Sequence, residues 1–278
     1  MIEPDDFIAR VWREGAQHQR NNLPWRCVDD AYAVLVSEVM LQQTQVVRVL
    51  KYWNAFLALF PTLDALAAAD TACVLEQWQG LGYNRRALAL KRAADICAAE
   101  YAGKLPRGID ALMALPGIGP ATAAGVCSFA YNEPSVYLET NVRTVFLHEF
   151  FPEEQGVSDK ELYPLVQITC SQDNPRGWYY ALLDYGAHLK ATQVNPSRKS
   201  AHHTRQSSYV GSRRQKRAEA LRCVLANPGI SDGELFAHLE AFEHAGKREQ
   251  LDYQAYRSVV DGMVAEGFFR CEAGGYCA

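Results

Sequence analysis

Residues 115–123 have the sequence LPGIGPATA, which is the strongest indication of the architecture of this chain. Two glycines flank one apolar residue, Ile118, between two segments whose apolar residues recur at helical spacing. Gly117 and Gly119 allow a tight turn, and the helix that follows begins with outward-pointing backbone N–H groups that suit a phosphate oxygen. The pattern predicts a helix-hairpin-helix. For this stretch alone, a plain interhelical turn is the alternative.

Helical spacing continues on both sides of the hairpin, for example at Leu35, Val39 and Val46. Strand-like alternation is almost absent before the C-terminus, and breaks that contain Gly and Pro divide the pattern into helices of ordinary length. We therefore predict a mainly α protein. With 278 residues and 49% hydrophobic content, the chain suffices for a large core and a small appended domain.

The C-terminal part of the sequence has a different pattern. We predict a helical core over 1–195, a basic linker over 196–211 and a C-terminal domain over 212–278. That domain has a basic helix over 212–226, a helix capped by Ser231, a third helix over 253–266 and a Gly-Gly hairpin. These elements are the outline of a winged helix, and a short three-helix bundle would give nearly the same pattern.

The charge is unevenly distributed along the chain. The whole sequence carries −4, whereas the segment 196–222 has eight basic residues against one acid, Glu219, which gives +7 locally. We call these basic residues the basic strip: Arg198, Lys199, Arg205, Arg213, Arg214, Lys216, Arg217 and Arg222. A basic strip on an acidic body is typical of a surface that contacts nucleic-acid phosphates. We expect Arg213, Arg214, Lys216 and Arg217 to bind DNA in this way.

The stretch SEVMLQQTQV places Glu38 on an otherwise apolar amphipathic helix. Because Glu38 lies three residues from Leu35, on or beside the core-facing stripe, we expect burial to raise its pKa and make it a general acid near neutral pH. A surface Glu paired with an Arg is the alternative. Four uncharged polar residues at the helix end favour the first interpretation, since amides suit the edges of bases: Gln42, Gln43, Thr44 and Gln45.

A second carboxylate, Glu139, lies in YLETNVRTV. We expect Thr140 or Asn141 to cap a helix that begins near Val142, and the N–H groups and dipole of that helix to keep Glu139 ionised. A simple capping role is the alternative. Cleavage of a glycosidic bond builds positive charge on the sugar, so it needs one protonated acid and one fixed anion. Glu38 and Glu139 supply such a pair.

The composition argues against a membrane protein, a secreted protein and a zinc protein. No apolar run approaches the roughly 20 residues that span a bilayer, and the acidic, amphipathic N-terminus does not resemble a signal peptide. We expect a cytoplasmic protein, nucleoid-associated if bacterial, without a membrane partner. The eight cysteines are scattered singly, which suits a reducing compartment. His202, His203, Cys271 and Cys277 have the wrong spacing for zinc, so no metal site is predicted.

Six motifs together resemble the helix-hairpin-helix DNA glycosylase superfamily, and within it the A/G-specific adenine DNA glycosylases. They are LPWR (23–26), SEVMLQQTQV (37–46), GLGYNRRA (80–87), LPGIGPATA (115–123), LETNVRTV (138–145) and ALLDYGA (181–187). QQTQV together with LPWR is quite specific to the adenine branch, whereas the hairpin is shared with endonuclease III. The resemblance spans residues 20–190 and implies two helical lobes with a DNA-reading cleft between them.

The resemblance implies a role for individual residues. Glu38 matches the acid that protonates the leaving base, and Asn141 matches a residue that positions the reacting nucleotide. Glu139 falls where an aspartate usually stabilises the sugar cation, and Thr140 where a glycine is usual, so the charge is retained with one extra methylene. The implied base pocket comprises Trp25, Arg26, Ala121 and Asp184. The implied DNA contacts comprise Gln42, Gln43, Thr44, Tyr83, Gly117 and Gly119.

Three departures from the family change the expected chemistry. Where lyase-competent relatives carry a lysine, this sequence has Ala121, so we expect no Schiff base and a monofunctional enzyme. Relatives place four cysteines for an iron–sulfur cluster after the match to Gly186, whereas residues 190–206 contain none. We therefore expect no cofactor, with room only for a monovalent cation at the hairpin. Residues 212–278 are also too short and too helical for the domain with which relatives read oxidised guanine.

The sequence thus predicts a monomer that excises adenine opposite guanine or 8-oxoguanine from double-stranded DNA. The same acid-and-anion chemistry would remove thymine, uracil or another altered pyrimidine from a mispair. From a different class, a non-catalytic DNA-binding protein would keep the hairpin and a winged helix. The two carboxylates argue against that alternative, because a pure binder gains nothing from carboxylates that face DNA phosphates. A zinc protein is a further, more distant alternative.

Overall fold

The computed structural model describes residues 2–204, 207–248, 250–272 and 274–278. The chain forms two compact units. Unit 1 comprises Met1–Gln42 and Lys104–Arg205, and unit 2 comprises Gln43–Gly103 and Gln206–Ala278. The predicted division at residues 195 and 211 stays a prediction.

The predicted mainly α fold is confirmed. In chain order the helices are α1 (Pro4–Gln17), α2 (Ala31–Leu41), α3 (Val46–Val49), α4 (Trp53–Leu59), α5 (Leu63–Ala68), α6 (Thr71–Trp78), α7 (Arg85–Glu100), α8 (Ile109–Met113), α9 (Pro120–Tyr131), α10 (Thr140–Phe150), α11 (Asp159–Thr169), α12 (Pro175–Thr192), α13 (Arg213–Ala226), α14 (Asp232–Ala245) and α15 (Tyr253–Glu266). Short 3-10 helices lie at Pro24–Arg26 and Pro196–Lys199.

In unit 1, α12 packs against α1 and α10, and α2 packs against α9. The Asp30 side chain caps α2 by accepting from the Tyr32 N–H at 3.0 Å. The prediction that this helix is amphipathic was wrong, because eight of its eleven residues are buried. Its sequence, AYAVLVSEVML, carries Glu38 as its one charged residue, so nearly every face is apolar enough to pack. The Glu38 carboxyl therefore lies on a helix that the protein encloses on most sides.

Unit 2 ends in a three-stranded antiparallel sheet of β1 (Ile230–Ser231), β2 (Arg270–Glu272) and β3 (Gly275–Cys277), in the order β1-β3-β2. The sheet accompanies α13, α14 and α15, so the predicted three helices and terminal hairpin are present. Ser231 caps α14 in a capping box with Glu234, as its position predicted. Strand β1 was not predicted, because two residues are too few to show alternation. Ala273, in the predicted hairpin, lies outside the described residues.

No helix in the described part of the chain is both long and apolar enough to cross a membrane. All eight cysteines are free thiols. Four of them, Cys97, Cys127, Cys170 and Cys223, are buried.

Candidate active site

The Glu38 carboxyl lies against α9 and Tyr137 in unit 1. The Tyr137 hydroxyl donates a hydrogen bond to Glu38 Oε2 at 3.2 Å. Burial raises the pKa of Glu38 to about 8, and the negative charge of Glu139 adds to the rise, whereas the Tyr137 hydrogen bond opposes it. The rise predicted from the sequence is thus present. At neutral pH the Glu38 carboxyl is mainly protonated, which suits a proton donor.

A glycine in the middle of α9 makes room for this carboxyl. A Cβ atom at position 125 would overlap Glu38 Oε2 and would lie 3.0 Å from Tyr137 Cε2. Gly125 therefore lets the carboxyl approach the helix backbone more closely than any other residue would. Sequence reasoning missed Gly125, although an isolated glycine within a helical pattern is a signal for close packing.

Glu139 is itself the N-cap of α10. Its Oε1 accepts hydrogen bonds from the backbone N–H groups of Asn141 at 2.6 Å and Val142 at 3.1 Å. The prediction that Thr140 or Asn141 caps a helix from Val142 was wrong, because the longer Glu139 side chain reaches back to these donors and α10 begins at Thr140. Capping and the proposed role as an anion therefore fall on the same carboxylate.

The pKa of Glu139 results from opposing influences. Burial raises the pKa above its usual value, whereas the two backbone N–H groups and the charges of Lys190 and Arg143 act in the other direction. The predicted stabilisation of the anion by the helix N-terminus is present, and burial opposes it. Arg143 is itself held by Asp159 through two hydrogen bonds of 2.8 Å.

Asn141 is held by a lysine that sequence reasoning did not select. Lys190 Nζ, near the end of α12, donates a hydrogen bond to Asn141 Oδ1 at 3.1 Å. Because Lys190 is 49 residues away along the chain, no local pattern links the two side chains. Ala121, in the first turn of α9, carries no amine. The charge of Lys190 also acts on Glu139, so the structure places a lysine amine close to both Glu139 and Asn141.

Two residues of the implied base pocket form a buried ion pair. Arg26 donates to both carboxylate oxygens of Asp184 at 2.8 Å, and Arg20 Nε donates to Asp184 Oδ1 at 2.5 Å. Burial alone would raise the pKa of Asp184, yet the hydrogen bonds and charges of Arg26 and Arg20 hold it below its usual value. Trp25 is buried in the same 3-10 helix as Arg26. Sequence reasoning missed Arg20.

The Arg26 guanidinium lies 4.4 Å from the centroid of the Tyr180 ring, which stacks on Phe129 of α9 at 4.9 Å. The ion pair with Asp184 and this stacking fix the Arg26 side chain from two directions. Asp184, with both oxygens engaged, acts in this structure as an anchor for Arg26 and Arg20.

The predicted helix-hairpin-helix is confirmed in the backbone. Helices α8 and α9 flank the turn, where Gly117 has a left-handed φ of +76° and Gly119 is the N-cap of α9. A Cβ atom at Gly119 would meet no atom within 4 Å, so the turn is open to an approaching ligand. On the same helix, Thr122 Oγ1 accepts a hydrogen bond from the Gln42 side-chain amide at 2.9 Å.

In unit 2 the structure brings Thr44 and the Tyr83 loop together. The buried Arg86 guanidinium donates through Nη2 to Thr44 Oγ1 and to the Gly82 carbonyl, both at 2.9 Å. Burial lowers the pKa of Arg86 to about 10. Gln43 and Tyr83 both have left-handed backbones, with φ of +54° and +48°. Arg86 was not selected from the sequence, although it lies within GLGYNRRA.

Much of the positive charge of the basic strip has partners inside the protein. Lys216 pairs with the buried Glu243 of α14 at 3.0 Å, and Arg217 pairs with Glu266 of α15 at 2.6 Å. Arg222 pairs with Glu219. The exposed members include Arg198 and Arg213, the latter donating to the Ser258 carbonyl. Arg205 lies outside the described residues. Phosphate binding by the strip stays a prediction.

Within the described residues, no three His, Cys, Asp or Glu side chains are grouped to hold a metal ion. Residues 190–206 contain no cysteine, so the sequence there does not fit the four thiolates of an iron–sulfur cluster. The absence of a cluster stays a prediction.

The chain is similar to known DNA repair proteins. Residues 36–166 match the HhH-GPD superfamily of base excision DNA repair proteins. An adenine DNA glycosylase of Mycolicibacterium smegmatis is 48% identical over 145 residues, which are 52% of this chain and 48% of that protein. The matched part thus spans about half the length of this curated relative.

Two solved structures share the fold. A thermostable thymine-DNA glycosylase superposes with a TM-score of 0.61 at 22% identity, over 69% of this chain and 90% of that one. Endonuclease III in a non-covalent complex with DNA superposes with a TM-score of 0.59 at 20% identity, over the same shares. The two structures show the shared fold, and the family match assigns residues 36–166 to the HhH-GPD superfamily of base excision DNA repair proteins.

Proposed function

We propose that this chain is a monofunctional DNA glycosylase that hydrolyses the N-glycosidic bond of adenine paired with guanine or 8-oxoguanine in double-stranded DNA. The observation that carries the proposal is the pair formed by Glu38, protonated at neutral pH, and Glu139, fixed at a helix N-terminus. The choice of adenine is supported by the relative from Mycolicibacterium smegmatis, which is an adenine DNA glycosylase.

In the proposed reaction, Glu38 donates its proton to a ring nitrogen of the leaving base. The bond between C1′ of the sugar and the base breaks, and its electron pair leaves with the base. The Glu139 carboxylate stabilises the positive charge that develops on the sugar, and Asn141, held by Lys190, positions the nucleotide. Water then adds to C1′ and gives a proton to the Glu38 carboxylate, which restores the acid.

Substitution of Gly125 tests whether the position of the Glu38 carboxyl matters. We expect Gly125→Ala to lower the single-turnover excision rate by roughly 10²-fold, because the new Cβ displaces Glu38 Oε2 from its place beside α9. The overlap is with the end of the Glu38 side chain, and the Tyr137 ring at 3.0 Å needs to shift only slightly, so the fold should persist.

The matched control is Gly233→Ala on α14, where a Cβ atom meets nothing within 4 Å. This variant should keep the wild-type rate. Circular dichroism and thermal unfolding establish whether both proteins are folded. A folded Gly125→Ala protein with wild-type activity would show that excision does not depend on the close approach of Glu38 to α9.

Ala121 and the missing cysteines lead to a prediction about products and metal content. Purified protein should contain no iron, and the product strand should stay intact at the abasic site until alkali is added. Stoichiometric iron would contradict the first expectation. A borohydride-trapped covalent complex would contradict the second, and its loss in Lys190→Met would identify Lys190 as the amine.

The exposed members of the basic strip lead to a salt-dependence prediction. Neutralising Arg198 and Arg213 together, as Arg198→Met and Arg213→Met, should make the slope of log affinity against log salt shallower by about 0.9 for each phosphate that the protein no longer neutralises. Fluorescence anisotropy with a labelled duplex measures the slope. Arg270→Met, an exposed arginine of β2, is the control. Equal slopes for wild type, the double variant and the control would show that the exposed arginines of the basic strip do not bind phosphate.

A panel of duplexes tests the proposed substrate. Each duplex carries one pair: adenine opposite 8-oxoguanine, guanine or cytosine, or thymine or uracil opposite guanine. We expect the protein to release free adenine, identified by chromatography, from the duplexes with adenine opposite 8-oxoguanine and adenine opposite guanine. Release of thymine or uracil instead would establish the pyrimidine alternative, and binding without release of any base would establish a non-catalytic DNA-binding protein.

A further inference from the structure

The loop that carries Tyr83 in unit 2 has an unusual backbone. Gly80, Gly82 and Tyr83 all have positive φ, of +94°, +74° and +48°. Glycine adopts this region freely, whereas tyrosine does so only where surrounding groups impose it. The Tyr83 side chain is partly exposed, so burial in a core does not explain the conformation.

Arg86 of α7 holds the loop on one side. Its Nη2 donates to the Gly82 carbonyl at 2.9 Å, its Nε donates to the Tyr83 carbonyl at 3.4 Å, and its Cζ lies 5.6 Å from the centroid of the Tyr83 ring. These contacts fix the backbone of the loop, and they leave the phenol hydroxyl to another partner.

That partner comes from the C-terminal segment. Arg214 of α13 donates through Nη1 to the Tyr83 hydroxyl at 2.9 Å, and its Cζ lies 5.7 Å from the ring centroid. Its Nη2 donates to the Ser207 carbonyl at 2.7 Å, which fixes the guanidinium. Position 83 is therefore held by two guanidinium groups, one from the helix that follows it and one from a residue 131 positions later.

Helix α13 is tied to the same part of unit 2 by a shared carboxylate. Glu266 of α15 accepts from Arg217 of α13 at 2.6 Å and from Arg85 of α7 at 2.5 Å, and its backbone carbonyl accepts from Arg92 at 2.8 Å. These bonds join α13 and α15 to α7. They therefore hold in place the part of α13 from which the Arg214 side chain extends to Tyr83.

We infer that Arg214 is a positioning residue for Tyr83, and that the two side chains form a platform for a nucleobase of the bound duplex. A partly exposed aromatic ring stacks on bases of any sequence, and neighbouring arginines strengthen such contacts. Through Arg214, the C-terminal segment 212–278 then strengthens the binding of the duplex at Tyr83. This inference rests on the proposed function.

The test compares Arg214→Met, Arg214→Lys, Tyr83→Phe and the double variant Arg214→Met/Tyr83→Phe with wild type. The readout is the Kd for a duplex with adenine opposite 8-oxoguanine, measured by fluorescence anisotropy. We expect Arg214→Met and Tyr83→Phe each to raise this Kd by roughly tenfold, the size expected when one stacking contact is impaired. The double variant should bind the duplex no more weakly than Arg214→Met, because the two substitutions remove the same hydrogen bond between Arg214 and Tyr83.

Arg214→Lys separates positioning from charge. Lysine keeps the positive charge, but its single ammonium group cannot replace the planar guanidinium that binds Tyr83 and Ser207 through two nitrogens. If Arg214 is a positioning residue, Arg214→Lys should therefore behave like Arg214→Met. Rescue by lysine would overturn the inference and identify Arg214 as a simple phosphate contact. Arg270→Met, exposed on β2, is the control for removal of an arginine from the same segment.

The inference fails if Arg214→Met leaves the Kd at the wild-type value, or if the effects of Arg214→Met and Tyr83→Phe on the free energy of binding add. Should wild type release adenine from no duplex, the proposed function fails, and the coupling is decided by thermal unfolding. There, the decrease in Tm of the double variant should be smaller than the sum of the decreases of the two single variants. Additive decreases in Tm would overturn the inference.

Discussion

Replacement of Glu38 by glutamine is expected to lower the single-turnover rate of adenine excision by about 10²-fold or more. Glutamine keeps the shape of the side chain and still accepts a hydrogen bond from Tyr137, but it has no acidic proton to give to the leaving base. Duplex affinity should persist, because the hairpin at Gly117 and Gly119 is unchanged. Rate and affinity are measured on the duplex with adenine opposite 8-oxoguanine. A Glu38→Gln protein with full activity would rule out Glu38 as the proton donor.

The stability of the same variant provides an independent control. Folding raises the pKa of Glu38 to about 8, so wild type loses stability as the pH rises from the ordinary glutamate range towards that value. Glu38→Gln lacks this loss. Its Tm relative to wild type should therefore increase between about pH 5 and about pH 8. A constant difference in Tm across this range would show that the carboxyl is not destabilised by burial.

Replacement of Glu139 by glutamine is expected to lower the excision rate by about 10²- to 10³-fold. The amide oxygen of glutamine can accept the N–H groups of Asn141 and Val142, so α10 keeps its cap while the negative charge is lost. Removal of the charge leaves the developing sugar cation without its fixed anion. Single-turnover kinetics on the same duplex measure the effect.

Glu139→Asp is the matched control, since it keeps the charge and an N-cap side chain. It should retain far more activity than Glu139→Gln. The two variants together separate charge from capping. If Glu139→Gln and Glu139→Asp lose activity equally, the capping geometry rather than the negative charge is what the reaction needs.

The fold followed from local patterns in the sequence. The two glycines of LPGIGP predicted the hairpin between α8 and α9, and Ser212 and Ser231 marked the starts of α13 and α14. Such features depend on residues within one or two turns of each other. Glu38 and Glu139 were also selected, because the local sequence around each of them predicts a change in the pKa or the charge state of its carboxyl.

The partners of the site residues could not be predicted, because they come from distant parts of the chain. Tyr137 lies 99 residues after Glu38, and Arg20 lies 164 residues before Asp184. The basic strip shows the same limit. Its local charge of +7 ignores Glu243 and Glu266, which pair with Lys216 and Arg217 only in the folded protein.

Glu139 shows how a local prediction fails on a detail of side-chain length. Threonine and asparagine are common N-caps, so Thr140 and Asn141 were the natural candidates. The Glu139 side chain is long enough to accept both free N–H groups itself, which moves the start of α10 to Thr140. The same bonds place the carboxylate where the proposed reaction needs a fixed anion.

The pH dependence of single-turnover excision tests whether a buried and protonated Glu38 drives departure of the base. Between about pH 6 and about pH 9.5, the wild-type rate should be level below the pKa of about 8 and fall by about tenfold per pH unit above it. The residual rate of Glu38→Gln should not change across this limb. A wild-type rate that stays level to about pH 9.5, or a Glu38→Gln rate that falls in parallel, would contradict the account.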